Sequence, residues 1–543
     1  MTPYDLSSSQ LYCLAAGAFF VAVAVRYFRG PSLKDIRGPP RSSFWLGNMG
    51  DYFYQAEVGE IEFQWLKEYG GAWKIHDPLG GDRLMLADPK GLQYVLQTSG
   101  YRFPKNSESR GESHMVFGDG IVWADGSQHQ KQRKIMNPAF SVPQLKSFLP
   151  TFLQYAEKLV QKWKEEEITP GSGAIDPVIN VYSWLSRTTL DVIGETGFGF
   201  SFGSLDRKQS DLADAYEGLF LDGTLYPPAL WLVFRKCWDY IPSGVLWYLR
   251  YAPARGARRF RTYLDYIRKF GRELVSQAQV DNEAASKDVM SVLLRANGAE
   301  NGALKLSDGE LIDQISNIIL AGHDTTSSSL TFWLWELARN PDWQTRVRDE
   351  VREVRRKLAD RGDVGFNLAD LEGMSVMHAT LKEAMRLHPI VPSLARRAGQ
   401  DDVIPLAHPI VTESGQSISS IPVQKGQEVH INIASYNRNP EVWGADAHQW
   451  NPERFMNLDK SALTPVGLYA NLLNFSAGVR GCIGWRFAVI EMQAIAATLI
   501  ESFEFAPPPH TTIKRLPTII MAPAAEGHDG GWLGLKVKYC GAT

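Results

Sequence analysis

Only four cysteines, Cys13, Cys237, Cys482 and Cys540, occur in 543 residues, and none stands near another. No Cys-x-x-Cys pair offers a zinc site and no disulfide-dense pattern exists, so the chain reads as reduced and cytosol-facing. Excess charge is equally scarce. Lys and Arg number 57 against 60 Asp and Glu, a net charge of −3 that gives no reason to expect nucleic acid as a partner. Linkers, internal repeats and low-complexity tracts are missing, with Gly and Pro spread along the whole length. Length alone would suggest several domains, but without a compositional break the 44% hydrophobic content reads as one body with a large core. Flavin and nicotinamide fingerprints and iron–sulfur cysteine spacings are also lacking, so electrons for any redox chemistry must come from a separate protein.

Long apolar runs are limited to one. Residues 11–25, Leu-Tyr-Cys-Leu-Ala-Ala-Gly-Ala-Phe-Phe-Val-Ala-Val-Ala-Val, carry no charge. As a helix they cover roughly 22 Å, less than the ~30 Å hydrocarbon core, so Tyr27, Phe28 and the snorkelling Arg26 and Arg29 would complete the span. A cleaved signal peptide is the rival, with Ala22-Val23-Ala24 as a small-residue cleavage site. Charge asymmetry favours an anchor: Asp5 precedes the run, while Arg26, Arg29, Lys34 and Arg37 follow it and put the next domain in the cytosol. We expect an N-terminal membrane anchor (residues 1–30), then a proline-containing hinge and start of the catalytic domain (31–50) with Pro31 and Gly38-Pro39-Pro40, and the catalytic domain proper (51–543).

The body is expected to be mainly α with a minor β-region. Strand and turn signals alternate over residues 69–95 and return over 398–432. Helical periodicity marks 144–166, 181–193, 263–279, 308–338, 341–359 and 377–387. The longest of these opens with Ser307-Asp308-Gly309-Glu310, a capping-box pattern. In its middle Ala321-Gly322-His323-Asp324-Thr325-Thr326 is a poor helix-forming run, which leaves room and hydroxyl groups where a packed core would hold Leu.

The most informative stretch is Phe475-Ser-Ala-Gly478-Val-Arg480-Gly-Cys482-Ile-Gly484. Its glycines let the backbone turn tightly and approach a flat ligand. Beyond it Phe487, Ile490, Ala494, Ile495 and Leu499 recur as on a buried helix. Cys482 would then sit at a helix N-terminus, where the macrodipole favours a thiolate, the form that ligates iron. Arg480 offers a permanent cation to a ligand carboxylate.

With Phe-x-x-Gly-x-Arg-x-Cys-x-Gly filled at every position, the decapeptide resembles the haem-binding loop of the cytochrome P450 family, and the resemblance extends in order over nearly the whole chain. It implies the family's triangular, mainly helical fold, with haem b held between the long distal helix and the proximal cysteine-loop helix and Cys482 as axial iron ligand. Phe475, Gly478 and Arg480 belong to that loop. By the same resemblance Thr325 hydrogen-bonds dioxygen or its ordered water on the distal face, and Asp324 relays protons from solvent. Glu383 and Arg386 form the Glu-x-x-Arg element. That spacing also occurs at Glu336/Arg339 and Glu353/Arg356, which read as solvated helix faces; the third is singled out by Leu387-His388-Pro389 and by its place before Cys482. Arg454, in Asn451-Pro-Glu-Arg-Phe455, would join Glu383 and Arg386 in a buried network fixing the cysteine loop. His129, where many members carry Trp, Arg133 and Arg396 are the implied propionate partners, with Arg397 a competitor for the last role.

The implied reaction inserts one atom of dioxygen into an organic substrate, with electrons from NADPH through a flavoprotein reductase that docks on a basic face including Lys131, Lys134 and Arg486. The endoplasmic reticulum membrane is the expected location, with lipid as a contact, and a fungal origin and specialised metabolism fit the overall resemblance. Substrate-contacting segments would map to residues 103–122, 220–251, 317–326 and 390–395. An apolar wall of Ile390, Val391, Pro392 and Leu394 suits a lipophilic terpenoid, steroid or aromatic. Tyr226, Trp231, Phe234, Trp238 and Trp247 are expected to dip into the bilayer. A haem-thiolate isomerase or peroxygenase, or a non-catalytic haem sensor, is the alternative; the Asp324-Thr325 pair weighs against the first. If Cys482 is the iron ligand, Cys482→Ser loses the red-shifted Soret band of the reduced, carbon monoxide-treated protein, and retention of that band removes the assignment.

Overall fold

The computed structural model describes residues 33–168, 177–207, 219–252, 255–280, 287–300, 302–457 and 464–541. The expected anchor lies outside them, and no described helix is long and apolar enough to cross a membrane. Eleven described helices reach ten residues: α1 (Glu60–Tyr69), α2 (Ser107–Phe117), α3 (Gly126–Met136), α4 (Val142–Lys162), α5 (Val181–Phe198), α6 (Arg255–Val280), α7 (Val289–Gly298), α8 (Asp308–Arg339), α9 (Pro341–Arg361), α10 (Ser375–Leu387) and α11 (Trp485–Ser502). Described strands run β1 (Ala72–His76), β2 (Asp82–Leu86), β3 (Val178–Asn180), β4 (Ser393–Arg397), β5 (Asp402–Val411), β6 (Ser417–Val423), β7 (Glu428–Asn432), β8 (Phe503–Ala506), β9 (Ile513–Leu516), β10 (Ala522–Ala525) and β11 (Gly534–Tyr539).

The expected mainly helical class holds, and α8 shows why a weak helical sequence can still form a 32-residue helix. Its start is fixed by the capping box, in which the Ser307 hydroxyl accepts from the Glu310 N–H (3.2 Å) and Glu310 accepts from the Ser307 N–H (2.9 Å). Burial does the rest: Ile315, Ile319, Leu320, Leu330, Trp333, Leu334 and Leu337 have no accessible surface. The helix passes unbroken through Gly322, where a Cβ would stand 2.9 Å from the Ile193 side chain. Glycine here serves the close approach of α5 to α8, so the run that reads as a weak spot is a packing contact.

Order β1-β2-β7-β4 describes the largest sheet, with β1/β2 and β4/β7 antiparallel and β2/β7 parallel. Its apolar residues form a second core, separate from the helical one. Residues of the hinge segment dock on it. Leu33 and Ile36 are buried, and the Lys74 N–H of β1 donates to the Arg37 carbonyl at 3.0 Å. The sequence does not anticipate β4, whose Ser-Leu-Ala-Arg-Arg has no β-branched residue, or β8, which follows α11 with no turn signal between them.

The segment carrying Cys482 crosses the seam between the two cores. Val466, Leu473 and Ala477 are buried in the sheet core, whereas Leu472 is buried in the helical core and Phe475, Ile483 and Trp485 pack against it.

One buried acid in the N-terminal part makes stability depend on pH. Glu62 on α1 is 4% exposed, and desolvation pushes its carboxyl up to about 7. The unfolded chain loses this proton near the ordinary value of 4.5 while the folded chain keeps it to about 7, so the unfolded state binds fewer protons in that window and stability falls as pH rises through it. Glu62→Gln should remove a decline of about 3 kcal/mol between those pH values, measured by denaturant titration; an unchanged profile would count against a protonated Glu62.

Candidate active site

Backbone geometry holds the cysteine loop against the residues that precede α2. Gly478 adopts φ +64°, and a Cβ there would stand 1.9 Å from the Leu96 carbonyl oxygen, so only glycine fits. Gly481 lies close beneath the Leu468 side chain, whereas a Cβ on Gly484 would meet nothing nearer than Phe140 at 3.7 Å. Phe475 closes the loop, its carbonyl accepting from the Cys482 N–H at 2.8 Å. Cys482 lies two residues before Gly484, the N-cap of α11, and Ile483 is outside the helix. The expectation of a depressed thiol pKa is corrected. Cys482 is exposed by accessible surface, yet desolvation pushes the thiol up, with the Gly484 N–H and the Arg133 charge opposing.

Four cations and a neutral histidine gather beside this loop around a single carboxylate. Asp125 caps α3, accepting from the Gly126 N–H, and takes the Lys105 N–H at 2.8 Å. Arg480 is bound to it through two nitrogens and stacks over Tyr101 at 4.5 Å. His129, 3% exposed, bonds the Tyr101 hydroxyl through Nδ1 at 2.7 Å, and burial together with Lys105 and Arg480 pushes its pKa down to about 4. Arg133 donates to the Gly481 carbonyl. Arg396, 5% exposed, is pulled down to about 10 by burial and by Arg480, and its guanidinium donates to the neighbouring Ala395 carbonyl. Lys105, which the sequence did not single out, is pushed down to about 7 by burial and by Arg396.

Depressed basic groups of this kind mark a site where buried positive charge outweighs its counter-charge. Haem brings two propionates, which fit that excess, and the residues present therefore suit the group that the cysteine loop implies. Arg480 and Arg396 would hold the propionates, with Arg133 and His129 beside them and Cys482 as thiolate ligand, whereas the Lys105 ammonium already donates to the Val122 and Ala124 carbonyls. Arg397 does not compete. It is committed to Glu428 at 2.6 Å and to Asp239 at 2.5 Å, which raise its pKa.

On α8 the Thr325 hydroxyl donates to the Ala321 carbonyl at 2.8 Å, the usual back-bond of a helical threonine, and Asp324 pairs with Nε2 of His323 at 3.0 Å. Thr325 and Asp324 remain half-buried, while His323 is 1% exposed. Another acid nearby escaped the sequence reading. Glu491 of α11 is fully buried, neither of its carboxyl oxygens has a hydrogen-bond partner among the described residues, and desolvation holds its carboxyl far above the ordinary value, hence protonated. Its signal was available: it is the one acidic residue between Phe487 and Ile500.

Glu383 and Arg386 have no accessible surface and form two parallel bonds of 2.8 Å. Arg386 also donates to the carbonyls of Asn437 (2.8 Å), Ala447 (2.5 Å) and Gln449 (3.1 Å). Arg454 stands 3.7 Å from Glu383, but its closer partner is Asp446 at 2.8 Å, so it braces the segment more than the pair. The link to the cysteine loop runs through two asparagines that the sequence did not reveal: Asn437 donates to Asn474 at 2.8 Å, and Asn474 donates to the Met385 carbonyl at 2.8 Å. Among the other Glu-x-x-Arg pairs, Glu353/Arg356 is exposed as expected. Glu336 is not. It is 4% exposed and accepts from His388 at 2.8 Å.

The segments assigned to substrate contact partly converge. Backbone N–H groups of Asp119, Ile121 and Val122 donate to Asp313, Gln314 and Asn317 of α8 at 2.7, 3.0 and 3.0 Å. Residues around 235–239 are clasped to them by buried ion pairs, Lys236 to Asp77 (2.7 Å) and Glu108 (2.9 Å), and Arg235 to Glu112 (3.0 Å). Trp238 is 1% exposed and packs with Met115 and Leu246, so it does not face outward as expected; Leu230, Tyr248, Val245 and Tyr251 do, at 79%, 68%, 56% and 56%.

Residues 37–525 match the family described as Cytochrome P450. Cytochrome P450 monooxygenase 205 of Postia placenta is 33% identical over 554 residues, 98% of each chain. Ganoderic acid synthetase CYP5150L8 of Ganoderma lucidum is 33% identical over 522 residues, 92% of this chain and 93% of the relative. Cytochrome P450 monooxygenase claP of Ampulloclitocybe clavipes is 30% identical over 514 residues, 93% of this chain and 92% of the relative. With the cysteine loop, the cation cluster and the buried Glu-x-x-Arg pair in place, the chain belongs to the cytochrome P450 family of monooxygenases.

Proposed function

We propose that this enzyme oxygenates a lipophilic terpenoid, steroid or aromatic in specialised metabolism, taking electrons from NADPH through a separate flavoprotein reductase at the endoplasmic reticulum membrane. The observation that carries the reading is the cation excess beside Cys482, which suits a propionate-bearing, thiolate-ligated cofactor. Haem bound through the Cys482 thiolate supplies activation of dioxygen, because thiolate ligation favours O–O cleavage. The chain's own residues then have separable tasks. Arg480 and Arg396 orient the cofactor by its carboxylates, and Arg133 ties α3 to the loop through Gly481. Asp324, paired with His323, relays protons from solvent toward Thr325, whose hydroxyl gives up its bond to Ala321 to pass a proton on.

The likeness to a ganoderic acid synthetase supports a role in specialised metabolism, and the exposed Leu230, Val245, Tyr248 and Tyr251 support contact with lipid. Of the three basic residues expected on the reductase face, Lys131 is paired with Glu310 at 3.0 Å and Lys134 with Glu300 at 2.6 Å, while Arg486 is exposed and stacks over Trp485 at 4.8 Å. Docking would therefore lean on Arg486 more than on the two lysines.

Reconstitution with an NADPH-dependent flavoprotein reductase tests the reading. Oxygenated product from a lipophilic substrate panel, dependent on both reductase and NADPH, is expected; turnover with peroxide alone would indicate a peroxygenase or isomerase. Thr325→Ala should keep haem and the thiolate spectrum while lowering product per NADPH on the order of a hundredfold. Full coupling in that variant would end the proton-delivery role.

A further inference from the structure

A cavity of about 400 Å³ opens around the C-terminal end of α8 and shares no residue with the site around Cys482. Phe332, Trp335 and Trp450 give it an aromatic wall. Its charged lining is unbalanced. Arg515 is paired with Glu57 at 3.0 Å, and Glu336 takes Nε2 of His388 at 2.8 Å and Arg339 at 3.6 Å. Among the described residues Arg438 has no carboxylate at ion-pair distance, Glu336 and Glu383 acting on it only from farther away. It is 9% exposed, one nitrogen donates to the Leu387 carbonyl at 2.6 Å, and its ζ-carbon lies over Phe63 at 5.2 Å.

Both histidines that border the cavity are neutral. His388 is pushed down to about 4 by burial, and His448 is lowered by burial and by Arg438. Three guanidiniums therefore face two carboxylates, and the surplus is Arg438, whose own pKa is pulled down to about 9 by burial, Arg515 and Arg386. Two donors are also buried without partners among the described residues: Nε of Arg438 and Nε1 of Trp450. A buried N–H left unmade costs the full desolvation of the group, so a ligand that accepts both is favoured.

We propose that this cavity binds an organic carboxylate, its oxygens on Arg438 and Trp450 and its apolar body against Phe332 and Trp335. One surplus positive charge calls for a monoanion, and a planar guanidinium beside an indole N–H matches the two oxygens of a carboxylate. The aromatic wall excludes a strongly hydrated inorganic ion and favours a ligand with a flat or hydrophobic body. This site stands apart from the oxygenation reading and does not depend on it.

Calorimetric titration of the haem-loaded protein with benzoate and with its neutral isostere benzamide, at equal ionic strength set with chloride, tests it while the Soret band is followed. Expected are saturable benzoate binding, none for benzamide, an unmoved Soret band, and affinity lower by about tenfold or more in Arg438→Gln and in Arg515→Gln. Should Arg438→Gln not fold, Arg515→Gln at the rim carries the test. Absence of benzoate binding, equal binding of benzamide, unchanged affinity in Arg515→Gln, or a Soret shift that tracks saturation and so locates the ligand beside the haem would each overturn the proposal.

Discussion

The bidentate bond between Glu383 and Arg386 is the constraint on which the site depends. Neither side chain touches solvent. A buried pair of this kind is tolerable only while every remaining donor is met, and Arg386 meets that condition with three backbone carbonyls from residues 437–449. Loss of one partner would leave a charge uncompensated in the core, at a cost of about 3–5 kcal/mol. Because Asn437 hands the arrangement on to Asn474, one residue before Phe475, the same pair sets the position of the cysteine loop.

Charge is used in a different way on the other side of that loop. Around Asp125 positive groups are in surplus, and Lys105 and Arg396 are depressed first by burial and then by neighbouring arginines. A dicarboxylate ligand would be favoured there, which fits the two propionates of haem, and Cys482 would hold its iron. The two recognitions are mechanically joined, since Arg133 of α3 donates to Gly481 next to the cysteine.

Local patterns explain what could be read from the sequence. The cysteine loop, the capping box at Ser307 and the Glu383/Arg386 pair are each written within a few residues; the capping box forms and the pair is bonded and buried, while Cys482 lies two residues short of the N-cap of α11. Contacts between distant segments were illegible. No local signal tells Arg396 from Arg397; the partners Asp239 and Glu428 decide it, 158 and 31 residues away. Asn437 and Asn474 are ordinary polar residues until the fold brings them together. Trp238 read as an exposed aromatic because its neighbours are, yet Met115 and Leu246 bury it. Lys131 and Lys134 read as a free basic patch because their acidic partners, Glu310 and Glu300, lie far along the chain.

The cysteine segment is shared between two cores, with Leu472 in the helical one and Leu473 and Ala477 in the sheet one. Adjacent residues of one strap thus answer to two independently packed bodies. Any slip of one body against the other is delivered as torsion to the backbone between them, with little compliance, because Gly478 is wedged against Leu96. Loosening of the sheet body, whose β4 carries Arg396, would therefore reach the cysteine backbone and the neighbouring cation cluster together.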